Sequence, residues 1–373
     1  LKTHKALSII QVLPNLNGGG VEQGTLEIGN YLVENGNRSI VISGGGRMVE
    51  QLLNQGSEHI QANIGDKKLS TLKYIAWFKH QLIKIQPDII HLRSRLPAWI
   101  CYLAWKQLPK ATRPHLVTTV HGQHSVNAYS NIMNIGEQVI TVSHYMREHL
   151  IKNYPKIEKS AIRVIHRGVD NTVFYSSYQP SQQWKRLWYS QYPALKNKII
   201  ITLPGRLSKR KGATDFLDII DKSRHVLPSI HGLIVGEPET DNNEYMAELR
   251  DLIKDKGLNN YITFTGHRND LKDIMSSSAV IVSLSNKPEA FGRTVAEALS
   301  LGIPTLGYDH GGVSEQLRAV FPQGLTPLAN TAKASAKLID IIQNNINVTS
   351  EVPFSLNNMC DQTLSLYKSL ANA

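Results

Sequence analysis

This chain of 373 residues has only two cysteines, Cys101 and Cys360. Two thiols make neither a disulfide framework nor a thiolate cage for a metal, so a reducing compartment is the expected setting. Long apolar runs are missing too. Polar residues interrupt each one well short of the roughly 20 residues that a membrane-spanning helix needs. Residues 1–5 are read as leading directly into a strand, with no secretory signal expected. There is no Asp-x-Asp pair and no His/Cys cluster, so no Mg²⁺ or Zn²⁺ site is expected. Repeats and low-complexity tracts are absent, which leaves a chain long enough for two domains with full cores.

Acidic residues are scarce in one half. The formal net charge is +11, and residues 1–170 hold 20 Lys+Arg against 11 Asp+Glu, whereas residues 171–373 hold 21 against 19. Such a bias serves solubility, or it marks the first half as one that meets an anionic surface: phospholipid, a phosphorylated saccharide or nucleic acid. Nucleic acid has only the net charge behind it, and no nucleic-acid partner is expected.

What is present is an α/β rhythm. Apolar runs at 7–13, 39–43, 88–92, 116–120, 138–142 and 162–165 read as strands, and helical patterns lie between them, beginning with 21–35. Helical segments 67–85 and 97–108 mix lysines with Trp77, Trp99 and Trp105. Each reads first as a domain helix with its apolar face on the sheet; their lysines and tryptophans remain candidates for a membrane interface. Residues 174–198 carry no sheet signal and read as an irregular interdomain connection with room for a short helix. The rhythm then restarts: strands at 199–203, 232–235, 261–264 and 279–284, helices at 214–226, 244–255, 269–276, 293–301, 313–319 and 331–344, and a last amphipathic helix at about 355–371. The expected fold class is α/β, two doubly wound domains facing each other across a cleft, with domains at 1–175 and 176–354 and the terminal helix, about 355–373, packing back on the first.

In doubly wound sheets, ligands bind at the carboxyl ends of strands. Four loops there carry chemistry. Gly18-Gly19-Gly20 follows the first strand, but Gly18, Gly20 and Gly24 are mis-spaced for a dinucleotide fingerprint, so the turn reads as a phosphate- or sugar-facing lip. His121 directly follows the strand ending at Val120 and is expected to face a ligand. Arg206, Lys209, Arg210 and Lys211 place four cations in six residues after the first strand of the second half, a plausible diphosphate clamp. Finally, Glu289 precedes the backbone N–H groups of Phe291, Gly292 and Arg293 at a helix start, with Glu297 about one turn further on. An anion site between two carboxylates suits a ligand with both phosphates and hydroxyls, as a nucleotide sugar has.

Glu289-x7-Glu297, the Gly205–Gly212 stretch G-R-L-x-x-x-K-G, the glycine-rich turn and His121-Gly122 together resemble the retaining glycosyltransferases of family four, which have the GT-B fold. The resemblance covers nearly the whole chain. The run from His121 through Met133, with Gly136-Glu137 and Val142-Ser143 beyond, is similar to bacterial members that build lipopolysaccharide core or surface polysaccharide. The resemblance implies a metal-independent hexosyltransferase with no cofactor, taking a UDP-sugar in the first place and a GDP- or ADP-sugar otherwise. Glu289 then binds donor-sugar hydroxyls and Glu297 the ribose; Arg206 and Lys211 hold the diphosphate, helped by N–H groups of Phe291, Gly292, Arg293, Gly19 and Gly20. His121 meets the sugar near the reacting carbon, and Gly266-His267-Arg268 flank the base. Glu289, His121, Arg206 and Lys211 form the implied catalytic set. Many relatives carry Asn where this chain has Arg167. The implied partners are a saccharide or lipid-linked acceptor and an anionic membrane surface met by the basic first domain, at the cytoplasmic face of a bacterial inner membrane. A GT-B nucleotide-sugar 2-epimerase and a non-catalytic nucleotide-sugar-binding protein are the competing readings.

Overall fold

The structure, a computed structural model, describes residues 6–238, 243–349 and 351–372. The expected lead from residues 1–5 into the first strand lies outside the described residues. The chain forms two units and passes between them at Gly168/Val169 and again at Ser355/Leu356.

Unit 1 is organised on a wholly parallel seven-stranded sheet in the order β3-β2-β1-β4-β5-β6-β7. Its strands are β1 (Ser8–Val12), β2 (Arg38–Ser43), β3 (Glu58–Gln61), β4 (Ile89–Leu92), β5 (His115–Val120), β6 (Gln138–Thr141) and β7 (Ile162–Val164). Parallel strands are covered on both faces and so read as continuous apolar runs; all four residues of β4 are buried. The sequence reading missed β3. As an edge strand, Glu58-His59-Ile60-Gln61 buries none of its four residues fully and carries no apolar run to betray it.

The crossover helices are α1 (Gly20–Glu34), α2 (Val49–Asn54), α3 (Tyr74–Ile85), α4 (Arg95–Trp105) and α5 (His144–Asn153). The expected helix over 67–85 is a 3₁₀ turn, Leu69–Lys73, leading into α3. That turn leaves Leu69 89% and Leu72 54% exposed. Trp99 and Trp105 are instead tied inward: their indole N–H groups donate to Tyr129 O at 2.9 Å and Pro114 O at 2.8 Å. Among the membrane candidates, the exposed apolar side chains of the 67–85 segment are Leu69, Leu72 and Ile83. No helix among the described residues is long and apolar enough to cross a membrane.

Unit 2 repeats the plan with six parallel strands in the order β10-β9-β8-β11-β12-β13. They are β8 (Ile199–Pro204), β9 (Ile230–Val235), β10 (Ile262–Gly266), β11 (Val280–Ser283), β12 (Thr305–Tyr308) and β13 (Leu325–Thr326). Its helices are α6 (Gln182–Gln191), α7 (Ala213–Arg224), α8 (Asn243–Asp255), α9 (Leu271–Ser276), α10 (Arg293–Ser300), α11 (Gly311–Val320) and α12 (Thr331–Gln343).

The connection read as irregular contains α6, capped by Ser181, whose Oγ accepts from Trp184 N at 3.0 Å. The signal was the i, i+4 pair Trp184/Trp188. The two rings stack at 5.1 Å, and Trp188 is buried against Leu195, Ile200 and Leu233. The chain leaves unit 1 at Gly168, not at residue 175. Phe174 and Tyr178 already pack on Met275, Ala298 and Leu301 of unit 2. The last helix, α13 (Leu356–Ala371), belongs to unit 1, where Met359, Cys360, Leu364 and Tyr367 join Ile28 and Leu32 in one core.

Candidate active site

Each sheet has one point where strand order reverses, and there two loops at carboxyl strand ends diverge to leave a crevice. In unit 2 it lies between β8 and β11. Those two strands feed the cation-rich loop 205–212 and the Glu289 loop.

The two loops are laced together. Asn286 N donates to Arg210 O at 2.9 Å, and Asn286 Nδ2 to Lys209 O at 3.0 Å. Gly212 makes the approach possible. Its φ is +74°, and a Cβ there would stand 2.1 Å from Leu284 O. Across this seam Lys211 Nζ meets Glu289 Oε1 at 2.5 Å, and Ser285 Oγ donates to the same oxygen at 2.6 Å. Burial alone would raise the Glu289 carboxyl. Lys211, Ser285 and Arg210 outweigh it and hold the group below its ordinary value, as a carboxylate at neutral pH. Of the four cations, Lys211 is thus the one on the acid, whereas Lys209 turns away to Glu248 at 2.9 Å.

Behind the Glu289 loop, α11 packs against its backbone: Gly312 N donates to Glu289 O at 2.8 Å and Gln316 Nε2 to Gly292 O at 3.2 Å. His310 Nε2 bonds Ser285 O at 2.7 Å. Ser285, His310 and Gln316 were missed by sequence reasoning because their role is to hold loop atoms, and no motif spacing marks that. Gly292 caps α10, Arg293 opens it, and Arg293 Nε lies 3.2 Å from Glu297 Oε1. Phe291 is buried, its ring edge-on to Phe354 at 5.6 Å.

Beside β8, a cavity of about 420 Å³ is lined by Gly205, Arg206, Glu237, Pro238, His267 and Arg268, among others. Arg206, His267 and Arg268 therefore share one pocket, and Gly266 ends the strand that delivers the last two. Arg268 enters it with its charge already matched. Its Nε and Nη2 bond the Asp270 carboxylate at 2.8 and 2.7 Å. Within unit 2 the structure thus brings Lys211, Arg206 and Glu289 to neighbouring loops of one switch point, with Glu297 on the helix that follows.

Unit 1 holds the remaining candidates. Its switch point lies between β1 and β4. Gly18-Gly19-Gly20 follows β1, and Gly19 caps α1. His121 follows β5, the fifth strand once the missed edge strand is counted. Both of its ring nitrogens are buried and without a hydrogen-bond partner. Burial first, then Arg93 and Arg167, hold the imidazole well below its ordinary value of 6.5, so it is neutral. Arg93, directly after β4, went unremarked in the sequence. Among the described residues no group of three His, Cys, Asp or Glu side chains is placed to hold a metal ion.

Residues 18–173 match the Glycosyltransferase Family 4 model, and residues 185–351 match Glycosyl transferases group 1. Spore coat protein SA of Bacillus subtilis (strain 168) is 26% identical over 247 residues, 63% of this chain and 63% of that protein. The lipopolysaccharide core biosynthesis mannosyltransferase LpsB of Rhizobium meliloti (strain 1021) is 26% identical over 152 residues, 41% of this chain and 42% of that protein. The chain spans just under two thirds of the length of the first curated relatives it matches. A glycosyltransferase from Rickettsia africae ESF-5 superposes with a TM-score of 0.84 at 27% identity, covering 98% of this chain and 99% of that one. Anabaena Alr3699/HepE, solved with UDP and glucose, shares the fold at a TM-score of 0.78 and 19% identity, covering 97% and 100%.

Proposed function

Given that the chain belongs to glycosyltransferase family four, with the GT-B pair of Rossmann-like sheets, we propose that it moves a hexose, with retention at the anomeric carbon, from a nucleotide-diphosphate sugar to a saccharide or lipid-linked saccharide. The observation that carries this reading is the Lys211–Glu289 contact at the β8/β11 switch point of unit 2. An ammonium group and a carboxylate held together can receive both ends of one ligand: Lys211, with Arg206, takes the diphosphate, and Glu289 takes the sugar hydroxyls. Glu297 takes the ribose, with the base in the pocket of His267 and Arg268. HepE binds UDP and glucose, which supports UDP as the first nucleotide to try.

Retention follows when the acceptor hydroxyl enters on the face from which the diphosphate leaves. The C1–O(phosphate) bond breaks, the acceptor oxygen bonds C1, and the departing phosphate oxygen takes the hydroxyl proton. Fixed cations at Arg206 and Lys211 stabilise the charge that develops on the leaving group, so no metal is called for. His121, neutral, meets the sugar as a hydrogen-bonding group. The acceptor is part of lipopolysaccharide core or surface polysaccharide, a reading supported by the likeness to LpsB. The basic first unit rests on anionic lipid at the cytoplasmic face of the inner membrane, through Lys67, Lys68, Lys73 and the exposed Leu69 and Leu72.

The test is a thermal-shift screen of UDP-, GDP- and ADP-sugars, followed by transfer assays with the best donor in which NMR reads the anomeric configuration of the product. A rise in melting temperature followed by a retained linkage is expected. An inverted product, an epimerised donor in the absence of acceptor, or binding with no turnover across the acceptor panel overturns the reading.

A further inference from the structure

Unit 1 carries a buried guanidinium that no carboxylate among the described residues pairs with, although Glu27 and Glu22 favour its charge without touching it. Arg93 follows β4 immediately, beside β1 at the one place where the strand order of that sheet turns. Its side chain sits in a residue only 5% exposed. Nη1 donates to the neutral amide of Gln11 at 2.6 Å, and Nε is buried with no partner. Among the described residues no carboxylate forms an ion pair with it. Arg167, 8% exposed, stands nearby against α1. A Cβ at Gly24 would come within 2.1 Å of its Nη1, so the bare helix backbone at Gly24 is what seats this guanidinium. His121, with both ring nitrogens buried and unpartnered, completes the group.

A guanidinium taken out of water with no carboxylate paired to it is costly, and orphaned buried polar groups are rare in folded proteins. Arg93 and His121 are two such cases in one neighbourhood. Their place is the crevice where doubly wound sheets take ligands, with the Gly18-Gly19-Gly20 turn and the start of α1 on its other side. In unit 2, by contrast, cations are already provided for a diphosphate.

We infer that the β1/β4 crevice of unit 1 receives an anionic substituent of a sugar, a carboxylate or a phosphate, gripped by the guanidinium groups of Arg93 and Arg167. The inference rests on the reading that this chain handles sugars, and it adds that one of them is acidic. A planar oxyanion matches the guanidinium fork, whereas a neutral hydroxyl would leave the charge unmet.

The substituent belongs to the donor or to the acceptor, and matched pairs of ligands separate the two. The full chain is titrated calorimetrically with UDP-glucuronate against UDP-glucose, and, with UDP present, with glucose 6-phosphate and 3-deoxy-octulosonate against glucose. In one arm the acidic probe is expected to bind about tenfold tighter than its neutral twin, the scale of one charge-assisted bidentate pair. Arg93→Gln should erase that preference while leaving UDP affinity unchanged. Preference in the first arm assigns the acid to the donor, and preference in the second assigns it to the acceptor. Equal binding of acidic and neutral probes in both arms overturns the inference, as does an Arg93→Gln protein that loses both probes equally. Should Arg93→Gln not fold, Arg167→Asn is judged by the same criterion. Acid preference without any nucleotide-sugar binding defeats the transferase reading alone; nucleotide-sugar binding without acid preference defeats only this inference.

Discussion

The two switch points share a topology and differ in their electrostatics. At β8/β11 the cation at the seam is already matched: Lys211 sits on Glu289, and on the following helix Arg293 sits on Glu297. The side chains of the first pair are 32% and 17% exposed, so water still reaches them. At β1/β4 Arg93 is buried against a neutral amide, and His121 finds no partner at all. A balanced pair that water still reaches can rearrange around a ligand at small cost, and Ser285 Oγ already offers Glu289 a second partner. An unbalanced buried charge gains most from one kind of ligand, an anion. The same crossover architecture therefore presents a matched ion pair in one unit and a buried guanidinium without a paired carboxylate in the other.

The largest effect should come from breaking the balanced pair. Glu289→Ala and Lys211→Ala are each expected to lower turnover by about 10²- to 10³-fold, the loss typical of one transition-state contact. Circular dichroism should show the fold intact; near-normal turnover in either variant would remove unit 2 from the chemistry. Next, Gly212→Ala attacks the seam itself. With φ at +74° and Leu284 O at 2.1 Å from the new Cβ, urea denaturation should report a loss of about 2–4 kcal/mol.

Acid titration separates the buried imidazoles, among them His231 of unit 2, pushed down to about 4 chiefly by burial, from the Glu289 carboxylate. The imidazoles of His91 and His121 are held well below 6.5, in each case first by burial and next by Arg93. Their unfolded forms take protons that the folded forms refuse, so stability is full above pH 6.5 and falls as pH drops below it. The slope is at most about 1.4 kcal/mol per pH unit for each histidine. His121→Asn should make that limb shallower and leave the share of His91. Glu289 acts lower down: its folded carboxyl is depressed, so its contribution is present above 4.5 and is lost as pH falls through the folded value. Glu289→Gln should alter only this more acidic region. Melts recorded across pH, with the upper limb made shallower by His121→Asn and the lower one by Glu289→Gln, would assign each share to its residue. The smallest effect concerns the surface. Leu69→Ser with Leu72→Ser should weaken flotation with phosphatidylglycerol vesicles by about five- to tenfold and leave turnover on a soluble acceptor unchanged.

Much of unit 2's site was legible because its signals are local. Glu289, Arg206 and Lys211 stand between apolar runs on one side and helix periodicity on the other, with Glu297 inside the helix that follows, and such boundaries are written in short stretches of sequence. Other features were not local. β3 has no apolar run, because an edge strand has little to bury. α6 has few apolar residues, and only the i, i+4 tryptophans mark its inner face. Arg93 looks like any arginine at a strand end until its neighbours are known. Arg268 lines the cavity beside β8, but Asp270 already matches its charge, which the sequence did not show.

By itself the sequence determined the alternation of buried parallel strands with covering helices, the places where the chain turns, and the chemical character of each turn. These follow from apolar periodicity and from glycine and proline, whose effects reach only a few residues along the chain. Tertiary structure decided strand order, and with it which turns become neighbours. That Lys211, rather than Lys209 or Arg210, holds an acid 78 residues away, that α13 returns to unit 1, and that Arg93 pairs with no carboxylate among the described residues are all outcomes of sheet order and packing. They depend on contacts between distant segments, and no local stretch of residues encodes them.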